Sequence, residues 1–282
     1  MPSRISFAQN GEDIRLARVF GEGRVGTYVD VGANHPTEDS VSRYFYDRGW
    51  RGLAVEALPR LADAFRRSRP RDTVVNAFAG PAASSVPFFD FGAVSGLSTS
   101  DPQLAERHRQ AGFVHQLVHV PTQSLSTLID QAGIDVIDFM SVDVEGAESV
   151  VLKSLDMRRH RPKVMLVESI LPHGDGARYA PFEEHLIDHG YTFVVFDGIN
   201  SFYVAKEHIV WLPVLAAPLS VLDDYLPRRG LAELEHLRRE LKRPLVRAAS
   251  RVDRVSRRLL RRISGLKKMP FLNRFISRED EE

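Results

Sequence analysis

The sequence contains no cysteine. That excludes a disulfide framework, a thiolate metal site and a cysteine nucleophile. No apolar run approaches the roughly 20 residues that span a bilayer. The N-terminus has no apolar core of the kind that marks a secretory leader, so a cytoplasmic location is expected. No internal repeat or low-complexity linker is present, and the one G-x-G-x-x-G pattern, at 21–26, stands before a β-rich run and not after it.

Net charge is also scarce at +1, but it is unevenly placed. Residues 228–278 carry 17 Lys/Arg against 4 Asp/Glu, and the last four residues are all acidic. The preceding 227 residues are mildly acidic, with 21 basic and 29 acidic side chains. This shift is the strongest boundary in the chain. It predicts a body over 1–227 and a basic extension over 228–282. A chain of 282 residues is long enough for one large α/β domain with such an appendage.

The body is organised around residues 26–34, GTYVDVGAN. Thr27 to Val31 form a short apolar, β-rich run ending at Gly32-Ala33-Asn34. It reads as a buried parallel strand delivering a tight turn to a crevice. Asp30 lies at the strand's end, where a buried carboxylate needs partners. Gly32 and Ala33 permit close approach of a ligand to the backbone, and a helix is expected to open near Pro36 and run through 48. Strand, small-residue turn and helix together suit a nucleotide-type ligand.

Periodicity continues through a second strand at 52–56 ending in Glu56, a helix at 58–68 and a third strand at 73–79. Glu56 is placed to accept hydrogen bonds from ribose hydroxyls. Residues 84–91 read as a hairpin arm that Pro87 keeps at an edge. A polar loop at 96–100, a helix near 101–111, a strand near 116–120 and a helix at 124–132 follow. The second half gives a strand at 136–142 ending at Asp143, a helix at 147–155 and a strand at 164–167 ending at Glu168. A helix at 181–189 precedes strands 191–196 and 201–205, whose short join requires an antiparallel hairpin. Seven strands result, and Gly32, Glu56, Asp143 and Glu168 all fall at carboxyl ends, where such sheets bind ligands. The opening SFAQNGED, before the first strand, reads as a solvated helix cap in preference to a lid over the crevice.

These pieces together resemble the FkbM family of S-adenosylmethionine-dependent methyltransferases. The resemblance covers about residues 6–205 and rests on SFAQNGED, YVDVGANHPTEDSVSRYFYDRGWRG, the acid of AVEAL, GLSTSD, VPTQSLSTLID, IDFMSVDVEGAESVVLKSLD and RPKVMLVES. Ala8 stands where similar sequences more often carry serine. The resemblance implies a Rossmann-like class I methyltransferase fold, a seven-stranded, mostly parallel sheet in the order 3-2-1-4-5-7-6. It places Asp30, Gly32 and Asn34 at the methionine part of S-adenosylmethionine, Glu56 at the ribose, Ala57 and Ala79 at the adenine, and Asp143 beside the sulfonium. It also implies methylation of a hydroxyl on a sugar, glycoconjugate or secondary metabolite.

Methyl transfer to an alcohol requires that the alcohol lose a proton. Asp143, Glu145, His35 and His173 are the candidate bases. Asp143 and Glu168 could instead hold Mg²⁺. The simpler reading is that Asp143 positions the cofactor while Glu168 caps the next turn, with no metal. Two other classes compete: a dinucleotide-binding oxidoreductase, weakened because no G-x-G-x-x-G turn follows the first strand, and a non-catalytic binding protein on the same fold.

From Leu231 onward apolar residues recur at helical spacing, split by Pro244, with arginines over much of a second helix at about 245–264. Packing on the protein's own body or self-association ranks first for this basic helix. Peripheral contact with the inner face of a membrane follows closely. Nucleic acid ranks last, since no recognisable module is present.

Overall fold

The computed structural model describes residues 4–170 and 176–231. Contacts divide the chain into units Met1–Arg228 and Arg229–Glu282. The expected tail helices beyond residue 231, and His173 in the loop after the fifth strand, lie outside the described residues.

In chain order the strands are β1 (Arg4–Ser6), β2 (Thr27–Val31), β3 (Arg51–Glu56), β4 (Thr73–Asn76), β5 (Phe78–Ala79), β6 (Ala83–Asp90), β7 (Gln116–Gln123), β8 (Phe139–Val142), β9 (Val164–Glu168), β10 (Tyr191–Phe196), β11 (Asn200–Ala205) and β12 (Tyr225–Pro227). The helices are α1 (Glu12–Phe20), α2 (Val41–Tyr46), α3 (Pro59–Ser68), α4 (Pro102–Gln110), α5 (Leu125–Ala132), α6 (Glu148–Lys153), α7 (Glu183–Asp188) and α8 (Leu212–Ala216).

Seven strands form the central sheet in the order β10-β11-β9-β8-β2-β3-β4. Numbered along the sheet's own strands this is 3-2-1-4-5-7-6, and only β11 runs against the rest. Period-two alternation feeds two cores. Val29, Val31, Leu53, Val55, Met140, Val142, Met165 and Val167 face one side. Tyr28, Phe139, Val164, Leu166, Phe202 and Val204 face the other. Both faces are covered by helices, as a parallel sheet requires.

The second core docks α1. Phe20 meets Phe45, Trp50, Phe139 and Trp211, with ring centroids 5.3–6.2 Å apart. That anchorage fixes the start of α1 beside the sheet's carboxyl edge. A small parallel pair, β1 with β12, closes this end of the body.

Several expected boundaries shift. The helix after the glycine turn begins at Val41, not near Pro36, because residues 35–39 form successive bends. The expected strand 73–79 breaks at Ala77, whose N–H bonds to Glu56 O at 3.2 Å. Its end, β5, joins a separate three-stranded sheet in the order β5-β7-β6. Within that sheet β6, with Pro87, is at an edge. The strand expected from 136 starts only at Phe139; Val136 is exposed.

Candidate active site

At the carboxyl edge of the central sheet lies a cavity of about 490 Å³. The turn after β2 forms its floor. Gly32 has φ +78°, and a Cβ there would stand 1.7 Å from the carbonyl oxygen of Asp143. Only glycine permits both the left-handed backbone and that approach. Gly32 and Ala33 donate their N–H groups to Val55 O at 2.9 and 3.2 Å, and Asp143 N donates to Val31 O at 3.0 Å. The three central strands are thereby tied together where the ligand must sit.

Glu56 closes the β3 side. Its two carboxylate oxygens accept from Asn34 N at 2.7 Å and Leu58 N at 2.8 Å. Burial pushes this carboxyl up to about 7, against the opposing pull of those two N–H groups. Ala57 and Ala79 line the same wall. Asn34 also accepts from Ser95 Oγ at 2.8 Å, which fastens the 93–98 loop over the turn.

Asp30 is buried and accepts from Ser42 Oγ. Burial raises its pKa, opposed by Ser42 and by the Arg69 charge. Arg69, wholly buried, donates to Ser42 Oγ and Ser40 Oγ at 2.6 Å each and to Pro36 O. One guanidinium therefore pins the whole 36–42 segment and orients the hydroxyl that Asp30 receives.

The β8–β9 side is acidic. Asp143, Glu145 and Glu168 each bring a carboxylate oxygen within 4.8 Å of the others. All three are held above the ordinary carboxylate range, first by burial and then by one another and Glu148. Glu145 adopts φ +52° and is followed by Gly146 at +97°. Glu148 shapes that turn by accepting from Val144 N at 3.2 Å and Gly146 N at 3.1 Å. Thr99 Oγ1 donates to Glu145 O at 2.7 Å. This donor set fits a compact cation, either a sulfonium against Asp143 or a divalent ion among the three carboxylates. Glu168 lies behind Asp143 and does not line the cavity.

The structure thus gathers Asp30, Gly32, Ala33, Asn34, His35, Glu56, Ala57, Ala79, Asp143 and Glu145 around one cavity. His35, a candidate base, lines the cavity. Its Nδ1 accepts from Thr37 N at 3.2 Å and Glu38 N at 3.0 Å.

A correction concerns the SFAQNGED opening, expected to be a solvated cap. Glu12 and Asp13 are buried, and Gln9 and Glu12 line the cavity. Asp13 accepts from Ser6 Oγ and Phe7 N, both at 2.7 Å. Glu12 accepts from Asn10 N at 2.7 Å and Asn200 Nδ2 at 2.9 Å. Burial, then the Asp197 charge, push Glu12 up to about 7. Neither Glu12 nor Asn200 was among the expected site residues. Their signal was the acid pair directly after Gly11, on a helix whose apolar side has to reach the core.

A seven-stranded sheet with this strand order, one reversed strand and a cavity at its carboxyl edge defines the class I methyltransferase fold. The chain belongs to the FkbM methyltransferase family: the family model described as "Methyltransferase FkbM domain" matches residues 30–193, more than half of the sequence. No curated protein matches the chain. Among solved structures it is similar to a TehB-like SAM-dependent methyltransferase from Corynebacterium glutamicum, at 13% identity and a TM-score of 0.38, covering 69% of this chain and 88% of that one. It is also similar to a precorrin-6y C5,15-methyltransferase from Geobacter metallireducens, at 14% identity and TM-score 0.38, covering 70% and 88%. An O-methyltransferase from Bacillus cereus, solved with SAH, matches at 12% identity and TM-score 0.33, covering 69% and 80%. These likenesses are distant, and the assignment rests on the family match.

Proposed function

We propose that the protein binds S-adenosylmethionine and methylates a hydroxyl group of a sugar, glycoconjugate or related secondary metabolite. The observation that carries this reading is the charge of the cavity wall. Seven carboxylates line it, against a single arginine, Arg60. Arg60 is already engaged by Asp90 and Gly92 O, at 2.9 and 2.6 Å. Such a wall favours a ligand carrying a sulfonium and an ammonium, and it opposes a pyrophosphate. The dinucleotide-oxidoreductase alternative suffers further because α2 starts nine residues beyond Gly32. No helix N-terminus therefore stands at the glycine turn to receive a phosphate.

S-adenosylmethionine supplies an activated methyl group when bound. Glu56 retains lone pairs for ribose hydroxyls, beside the Ala57 and Ala79 wall. Asp30, Gly32 and Asn34 receive the methionine portion. As the S–CH₃ bond breaks and the O–CH₃ bond forms, the acceptor's proton passes to a carboxylate. Asp143 and Glu145, held above the ordinary carboxylate range, are suited to take it near neutral pH. Gln9, Glu12 and Asn200, on the β11 side, offer polar contacts for a hydroxyl-rich acceptor. Among the described residues no helix is long and apolar enough to cross a membrane. We place the protein in the cytoplasm, with its basic extension available for peripheral contact at the membrane's inner face or for self-association.

Calorimetric titration of S-adenosylhomocysteine and of NADH into the wild type and Glu56→Ala tests the reading. Binding of the first ligand, lost in the variant, is expected. Preference for NADH would remove it. A panel of methyl glycosides and nucleotide sugars, followed by homocysteine-product release, then addresses the acceptor.

A further inference from the structure

Residues 209–222, IVWLPVLAAPLSVL, contain no charged side chain. A run of that kind belongs in a core, yet half of this one faces solvent. Trp211, Leu212, Leu215 and Leu219 pack inward on the second core. Val210, Pro213, Val214 and Ala217, at i, i+3, i+4 and i+7, are exposed. A water-facing helical stripe should be polar, and an element apolar all round calls for a second apolar neighbour. Next along the chain, Val221 and Leu222 are 93% and 91% exposed, side by side on a single turn.

That turn is braced. Ser220 N donates to Asp223 Oδ2 at 2.7 Å, and Ser220 Oγ accepts from Leu222 N at 3.2 Å. Arg18 grips both oxygens of Asp223 at 2.7 Å and donates to Ala217 O and Pro218 O at 2.7 and 2.9 Å. Arg15 also donates to Ala217 O, at 3.0 Å. These backbone carbonyls are satisfied from the protein side, which is the condition for a face to leave water without loss.

We infer that this face, with Val221 and Leu222 as its tips, seats the protein on an anionic lipid surface. Side chains more than nine-tenths exposed project as points. Points penetrate a fluid layer, whereas a self-complementary dimer needs a broad, flat face. Flanking charge is mixed close to the run and basic further out: Glu207 is paired with Arg161 and Asp223 with Arg18, Asp224 is exposed, and Lys206 and Arg228 are exposed cations. From 228 to 278 the sequence carries 17 basic residues against 4 acidic ones. Fourteen residues are too few to span a bilayer, so contact is interfacial, with apolar insertion joined to attraction for anionic headgroups. The inference rests on the peripheral-membrane reading above and names the surface of the body that performs it.

The test is co-sedimentation of the full chain with phosphatidylcholine vesicles, with and without phosphatidylserine, at low and high salt. Wild type is expected to sediment with the anionic vesicles. Val221→Asp/Leu222→Asp is expected to weaken partitioning roughly tenfold or more, while S-adenosylhomocysteine binding and Tm stay as in wild type. Failure of the wild type to sediment would remove the peripheral-membrane reading and the inference with it. Sedimentation equal in wild type and variant, and abolished by salt, would assign contact to the basic extension alone and overturn only the inference. A wild-type dimer that the variant dissociates, with lipid binding untouched, would make this face a contact between copies and overturn it as well.

Discussion

Asn200 Nδ2 donates to Glu12 Oε1 at 2.9 Å, joining the first helix of the body to the first residue of its last central strand. Asn200 in turn sits opposite Glu168 in the β11–β9 register, so this bond extends the acidic side of the crevice out to the N-terminal segment. Removing the amide leaves a buried carboxylate one donor short. Asn200→Ala is expected to cost about 1–2 kcal/mol in urea unfolding. A double-mutant cycle with Glu12→Gln should give a coupling of roughly 1 kcal/mol or more. Additive effects of the two substitutions would mean that the contact stabilises nothing.

Gly32→Ala is expected to be far more severe. The new Cβ meets the Asp143 carbonyl, and φ +78° disfavours any side chain. Strand β8 would have to move away from β2 at the point where the cavity floor is built. A loss of at least about 4 kcal/mol, or failure to accumulate folded protein, is expected. Normal stability with intact S-adenosylhomocysteine binding would show that the turn relaxes cheaply.

Stability of the unliganded protein should fall as pH rises through neutrality, because of the buried carboxyls. Glu12 and Glu56 are pushed up to about 7, and Asp13 and Asp72 to about 6, in each case first by burial. Between their ordinary values and these, the folded state binds more protons than the unfolded state, so unfolding free energy decreases with pH. Exposed Glu207, lowered to about 2 beside Arg161, acts in the opposite sense only at lower pH. Thermal unfolding should therefore show a higher Tm near pH 5.5 than near pH 8, where roughly neutral values separate the charge states. A flat or rising profile over that window would mean these carboxyls titrate normally.

Much of this was legible because strand periodicity is local. The runs around Val29, Val55, Val142 and Val167 are short, apolar and end in Gly, Asp or Glu, so the strands and their loaded carboxyl ends followed from the sequence. The turn at 35–39 was not legible. Pro36 is as compatible with a bend as with a first helical turn, and the choice is made by Arg69, which holds Pro36 O from 33 residues away. The same holds for Ala77, where β5 leaves the central sheet for another partner. Glu12 was hidden for a related reason. Two acids after Gly11 suit a solvated helix start, and only the aromatic docking of Phe20 turns that start inward. Long-range contacts decide such positions, and one sequence does not show them.

Asp143→Asn separates the roles open to the acidic cluster. Asp143 accepts a hydrogen bond from a Glu168 carboxyl that holds its proton, and the amide oxygen of Asn can still accept it, so the substitution should leave the Tm of the unliganded protein close to that of wild type. If Asp143 faces the sulfonium, the variant should lose affinity for S-adenosylmethionine more than for the uncharged S-adenosylhomocysteine. The ratio of the two dissociation constants should shift roughly tenfold. A shift confined to neither ligand would move Asp143 away from the sulfur. If the three carboxylates instead hold a divalent ion against the acceptor, a chelator should abolish wild-type turnover and Mg²⁺ should restore it. Turnover unchanged by chelation is the result expected on the proposal that Asp143 faces the sulfonium, which would itself supply a positive charge to these carboxylates.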